Sequence, residues 1–189
     1  MRERGELRGD RMQRRLKVFF MGGFLIGCIL CSHTNALAND QGNLQNPIIQ
    51  DDGIPEEIKK DCEEIGAEFN ICPELLEAIA WHESRFIPTV KNKNCFGLCQ
   101  VNVKIHAKRL EKYGYTEDDM LTSYANIYVA ADNLAELFEN YGDDDPIILL
   151  MYSGAGWKAI EKYKEYSFIT KSVDEILTRS ANYERLHGK

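Results

Sequence analysis

The chain has 189 residues, enough for one domain with a sizeable core and too few for two ordinary ones. Thirty acidic residues against 23 basic ones leave a net charge of −7, which excludes a protein whose main work is gripping nucleic acid. Hydrophobic residues at 44% and charged residues at 28% exclude both wholesale disorder and a polytopic membrane protein.

The chain opens with a basic stretch (Arg2, Arg4, Arg8, Arg11, Arg14, Arg15, Lys17), and an apolar run follows from Leu16 to Cys31, broken by Gly22, Gly23 and Gly27. These are the n- and h-regions of a secretion signal. Small residues in Ala36-Leu37-Ala38 place the expected cleavage after Ala38, so residues 1–38 are read as a signal peptide. An uncleaved membrane anchor and a lipidated Cys28 in Leu25-Ile26-Gly27-Cys28 are the alternatives, and Met12 is a candidate internal start. Removal of residues 1–38 leaves 16 basic and 27 acidic groups, a net −11. Residues 39–53, rich in Asn, Gln and Asp, read as a flexible lead-in, and residues 54–189 as the folded domain.

Apolar residues at helical spacing predict a helix over Pro55–Phe69 (Ile58, Cys62, Ile65, Phe69) and a second from Pro73 to about Ser84. The second helix has a buried stripe of Leu75, Leu76, Ile79 and Ala80, and Glu83 lies on that stripe. Arg85 to Asn94 reads as a loop and Cys95 to Asn102 as a small β-like element. Further helices are expected over Val103–Lys112, Ser123–Tyr141, Pro146–Tyr152, Trp157–Tyr166 and Val173 to about Arg185. Asp143-Asp144-Asp145 reads as a solvated helix start, since its spacing lacks the alternation of a calcium loop. The fold class is mainly α with a small β element.

Four cysteines follow the signal: Cys62, Cys72, Cys95 and Cys99. In an exported chain they suggest two disulfides, for which three connectivities are open. Pairing Cys62 with Cys72 and Cys95 with Cys99 is preferred, because these bridges would join neighbouring helices and brace the loop before Gln100. Zinc is the competing reading, against which stand the absence of a CxxC pair and the scatter of His82, His106 and His187.

Glu83 is the first candidate for chemistry. A carboxyl group on the apolar side of a helix loses hydration when ionised, its pKa rises, and it stays protonated near neutrality, as glycosidic cleavage requires of its acid. The competing reading is a helix-end glutamate turned to solvent.

The run Ile79-Ala80-Trp81-His82-Glu83-Ser84-Arg85-Phe86, followed by Gly97-Leu98-Cys99-Gln100, resembles the ES and GLMQ motifs of lytic transglycosylases and goose-type lysozymes. Asn126-Ile127 with Ala130, Ala131 and Leu134 resembles the family's NI..GA..L helix, and Met151-Tyr152-Ser153-Gly154-Ala155-Gly156 its AYNAG turn. Four motifs in order, from about Cys72 to Ile176, make the likeness specific. It implies a lysozyme-like fold that binds the glycan strand of peptidoglycan, with Glu83 catalytic, Ser84, Gln100 and Tyr152 as substrate-binding residues, and neither metal nor cofactor. Ser84 would also order the end of the catalytic helix.

The chain departs from the family at Cys99, where methionine is usual, at Ser153 in place of the asparagine of AYNAG, and at Ser172 in place of the tyrosine of a late YVxxV motif. No Asp or Glu occurs from Val101 to Leu110, where goose-type enzymes hold acids that position water. The resemblance therefore implies a lytic transglycosylase forming 1,6-anhydro-MurNAc ends, with a hydrolysing muramidase or a weakly catalytic wall-binding module as alternatives. Expected partners are the peptidoglycan strand and a larger envelope or secretion assembly, with no nucleic acid and with membrane contact only through the export signal. The expected location is secreted and wall-associated. Trp81, Phe86, Tyr124, Tyr128, Phe138, Tyr141 and Trp157 read as core residues, not as a sugar platform.

Overall fold

A computed structural model describes residues 52–189. The signal peptide, its alternatives and most of the lead-in lie outside the described residues. Asp52, at the end of the expected lead-in, is tied to the domain: its carboxylate accepts from Ile54 N at 2.9 Å and meets Lys59 Nζ at 2.7 Å and His187 Nε2 at 3.0 Å.

Seven α-helices and a small antiparallel sheet make up the described residues. Helix α1 (Glu56–Phe69) buries Ile58, Cys62 and Ile65 and ends at Asn70 in the left-handed conformation. The turn into α2 is tight enough that a Cβ on Gly66 would lie 2.7 Å from Ile71 O. Helix α2 (Pro73–Ser84) starts on a proline suited to its first turn. The single stripe expected of it is too narrow a description, since every residue from Glu74 to Ala80 is buried. Helix α2 is the central helix, with α1 on one flank and α7 (Lys171–Leu186) packed along it.

Strands β1 (Lys91–Asn92), β2 (Cys95–Phe96) and β3 (Val101–Asn102) form the sheet in that order, with Cys95 opposite Asn92 and Asn102. Helix α3 (Ala107–Tyr113) begins later than expected. The Asn102 side chain accepts from Lys104 N and Ile105 N, both at 3.2 Å, and this turn takes up the residues that helical spacing had claimed. A 3₁₀ turn at Asp118–Leu121, also not foreseen, is held by Asp119 accepting from Thr116 N at 2.7 Å.

Helix α4 (Ser123–Tyr141) has the expected bounds and packs on α1. Helices α5 (Asp145–Tyr152) and α6 (Trp157–Tyr166) follow, and α5 touches both α4 and α7. Asp144 caps α5 by accepting from Ile147 N at 3.2 Å, so the acidic run opens a helix. Thr170 caps α7 in the same way, and the helix starts at Lys171, two residues before the expected Val173.

Cys62, Cys72, Cys95 and Cys99, expected to pair in an exported chain, carry free thiols in the structure. The Cys72 thiol donates to Glu74 Oε2 at 3.0 Å, whereas Cys62 is wholly buried on the inner side of α1, where its charged form would feel Cys99. No helix among the described residues is long and apolar enough to cross a membrane.

Candidate active site

The end of α2 is built to present Glu83. Ser84 is buried and its hydroxyl donates back to Ala80 O at 2.9 Å. Arg85 and Phe86 then take left-handed backbone angles (φ 55° and 61°), which terminate the helix abruptly. The Arg85 guanidinium caps the freed carbonyls, with Nη1 at 2.6 Å from Trp81 O and 3.0 Å from His82 O. It also stacks 3.6 Å from the centre of the Trp81 ring, on which Arg179 of α7 stacks at 3.1 Å.

Opposing this helix end is the segment from β2 through β3. Gly97 (φ 79°) crosses α4 so closely that a Cβ there would lie 2.0 Å from Met120 O and 2.3 Å from Asn126 Nδ2. Asn126 is fully buried and holds the crossing with its whole amide: Oδ1 accepts from Cys99 N at 2.7 Å, and Nδ2 donates to Phe96 O and Met120 O, both at 2.8 Å. Gln100 follows in a left-handed conformation (φ 49°), its Nε2 donating to Gly97 O at 3.0 Å and Val90 O at 3.4 Å. The amide oxygen of Gln100 is left as an acceptor.

Between these parts lies a groove of about 420 Å³, lined by Glu83, Gln100, His106, Asn133 and Tyr152 among others. Tyr152 of α5 donates its hydroxyl to Cys99 O at 2.9 Å and feels the Glu83 charge. Burial and the neighbouring acidic groups hold its pKa well above the ordinary tyrosine value. Cys95 and Cys99 also line the groove, and burial pushes the Cys99 thiol up. Cys99 thus fills the buried methionine position of the family motif with a small, neutral side chain.

Among the described residues, Glu83 is the only carboxyl group on the groove lining. Loss of water raises its pKa, and no cation or hydrogen-bond donor among the described residues opposes that rise. The arrangement supplies one proton donor, with an amide acceptor and neutral polar groups around it.

Of the residues singled out from sequence, Glu83, Gln100 and Tyr152 meet on the groove, whereas Ser84 is not on its lining and orders the helix end instead. The seven aromatic residues read as core are likewise absent from the lining, but Tyr124, Tyr141 and Trp157 are exposed and not core. Sequence reasoning missed His106 and Asn133 as lining residues, and Asn126 as the pin of the crossing. The Asn126-Ile127 pair was a signal for the last, but nothing local marks its three partners.

A family model of the transglycosylase SLT domain matches residues 62–173. Protein IpgF of Shigella flexneri is 35% identical over 140 residues, covering 70% of this chain and 83% of that protein. Protein IpgF of Shigella sonnei matches with the same identity and coverage. No solved structure matches the chain. The lysozyme-like arrangement of helices and small sheet and the match over residues 62–173 agree: the chain belongs to the transglycosylase SLT domain family.

Proposed function

We propose that the protein is an exported lytic transglycosylase that cleaves the β-1,4 bond between MurNAc and GlcNAc in peptidoglycan and leaves 1,6-anhydro-MurNAc ends. The observation that carries this reading is the solitary, desolvated Glu83 in the groove. Glycosidases that use two carboxyl groups hold them about 5 to 9.5 Å apart across the bond, and this groove offers no second one.

Protonated Glu83 gives its proton to the glycosidic oxygen, the bond from that oxygen to C1 of MurNAc breaks, and GlcNAc departs with a free 4-hydroxyl. The N-acetyl group of MurNAc supports the positive charge at C1. The C6 hydroxyl then attacks C1 and returns its proton to the Glu83 carboxylate, so the acid is regenerated and no water is consumed. Gln100, through its free amide oxygen, and Tyr152 are assigned to sugar contacts. The export signal supports a wall-facing location.

Digestion of purified peptidoglycan with product mass spectrometry tests the reading. Anhydro ends are expected from the wild type, and Glu83→Gln should lower their formation by about 10²- to 10⁴-fold without loss of fold. Ends that reduce with borohydride would assign a muramidase instead. Binding of sacculi without product from either form would assign a wall-binding module.

A further inference from the structure

His106 lines the groove, and its proton is controlled by residues that do not. Its Nδ1 lies 3.0 Å from Nη1 of Arg109, on the first turn of α3. A guanidinium has no lone pair to offer and stays charged throughout the working pH range, so Arg109 is the donor and Nδ1 the acceptor. The single proton of the neutral ring must then sit on Nε2, which has no protein partner among the described residues.

Arg109 itself is fixed. Its Nε donates to Asp132 and its Nη2 to Glu136, both on α4, so all three nitrogens of the planar fork are engaged. Asp132 is further held by the Tyr113 hydroxyl and by Lys112 Nζ at 3.1 Å. The side chains of Arg109 and Asp132 are only 13% and 15% exposed, so this pair is shielded from solvent competition, whereas Glu136 and Lys112 at the edge of the network are exposed.

We propose that Arg109 is a positioning residue that fixes His106 as a neutral imidazole presenting Nε2–H to the sugar strand. The proposal rests on the groove being the glycan site. The charged groups that act on His106 are Arg109 on α3 and Asp132 and Glu136 on α4. Burial and the adjacent guanidinium hold the ring below its ordinary pKa against the weaker pull of the two carboxylates. The benefit is chemical. An imidazolium in the groove would favour ionised Glu83 and draw its pKa down, whereas a neutral N–H can donate to a hydroxyl or acetamido oxygen and leave Glu83 protonated.

Long-range proton–nitrogen NMR of the imidazoles, recorded on the free protein, reads the tautomer and the titration midpoint directly. The wild type should show His106 as the Nε2–H tautomer with a midpoint below 6.5. In Arg109→Met the guanidinium no longer opposes protonation, and the two carboxylates work against burial alone, so the midpoint should rise above that of the wild type. The KM for peptidoglycan oligosaccharides should then increase several-fold below the new midpoint, with kcat on the alkaline side unchanged. Arg109→Lys keeps a charge for Asp132 but lacks the fork; it should keep the fold and lose the fixed tautomer, which guards against a simple folding defect in the Met variant. A proton on Nδ1 in the wild type, or an unchanged tautomer and midpoint in both variants, would overturn the proposal. The NMR readout needs no substrate, so a protein with correctly fixed His106 that is inert towards peptidoglycan would sink the functional reading alone.

Discussion

Asn126 spends every hydrogen-bonding atom of its amide on backbone groups of two segments, the stretch from β2 to β3 and the 3₁₀ turn. Its removal leaves buried carbonyls and an amide N–H unpaired, each at a cost of about 1–3 kcal/mol. Asn126→Ala is therefore expected to lower stability by about 3 kcal/mol or more and to loosen the segment that carries Gln100. Gly97→Ala should be comparably damaging, because the new methyl group meets Met120 O and the Asn126 amide in a backbone conformation that alanine rarely adopts. Chemical denaturation of both variants measures this, and a loss below about 1 kcal/mol would contradict the role given to the crossing. At this scale the sequence exposed residues whose neighbours in the chain explain them. Glu83 stood out because its helical stripe is apolar, while Asn126 and the carboxylates that hold Arg109 answer to partners 6 to 30 positions away that no spacing reveals.

Helix α2 shows where periodicity misleads. Glu74 and Glu77 fall on the side that the pattern Leu75, Leu76, Ile79 and Ala80 leaves for solvent, yet both are buried because other parts of the domain cover that side too. Glu74 is satisfied by His187, Lys189 and the Cys72 thiol, and these contacts hold its pKa down at about 2 against the penalty of burial. Asp52 is held at about 2 by Lys59, Ile54 N and His187, again against burial. Neither oxygen of Glu77 has a partner, and burial pushes its pKa up to about 7. The signs oppose. Glu74 and Asp52 contribute stability above their ordinary values that is lost as the pH falls towards 2. Glu77 contributes below its ordinary value, and that contribution is lost as the pH rises through about 7; His187, with a pKa raised by Glu74 and Asp52 against burial, loses its share on the same alkaline side. Thermal unfolding across pH should therefore give a maximum Tm near about pH 4.5–5, where Glu74 and Asp52 are ionised and Glu77 has begun to lose its share. Glu77→Leu should flatten the fall between about pH 4.5 and 7 and stabilise the domain by about 2 kcal/mol at roughly pH 8. A Tm that still falls between about pH 4.5 and 7 in that variant as it does in the wild type would show that Glu77 is not the cause.

At the scale of the whole molecule, charge bears on how an SLT-family protein such as this one would meet a peptidoglycan strand. The chain carries −7, and −11 once residues 1–38 are removed, whereas the peptide stems of peptidoglycan bear carboxylates. Long-range attraction therefore cannot bring the groove to the strand, and the repulsion works against encounter. Within the groove the balance differs: desolvation disfavours the charged form of Glu83, and the remaining polar lining of Gln100, Asn133 and Tyr152 is uncharged, so among the described residues the groove lining adds no carboxylate beyond Glu83. Repulsion thus belongs chiefly to the exterior and recognition to the groove, and salt separates the two. Raising ionic strength from about 0.01 M to 0.15 M shortens the screening length from about 30 Å to about 8 Å, which removes exterior repulsion and leaves contacts at hydrogen-bond distance intact. Activity on purified sacculi should accordingly rise several-fold over that range through kcat/KM, with kcat constant. On uncharged glycan oligomers stripped of their peptides the same change should have little effect. A fall in kcat/KM with salt on sacculi would reveal an attractive surface that the net charge conceals, and would place recognition outside the groove.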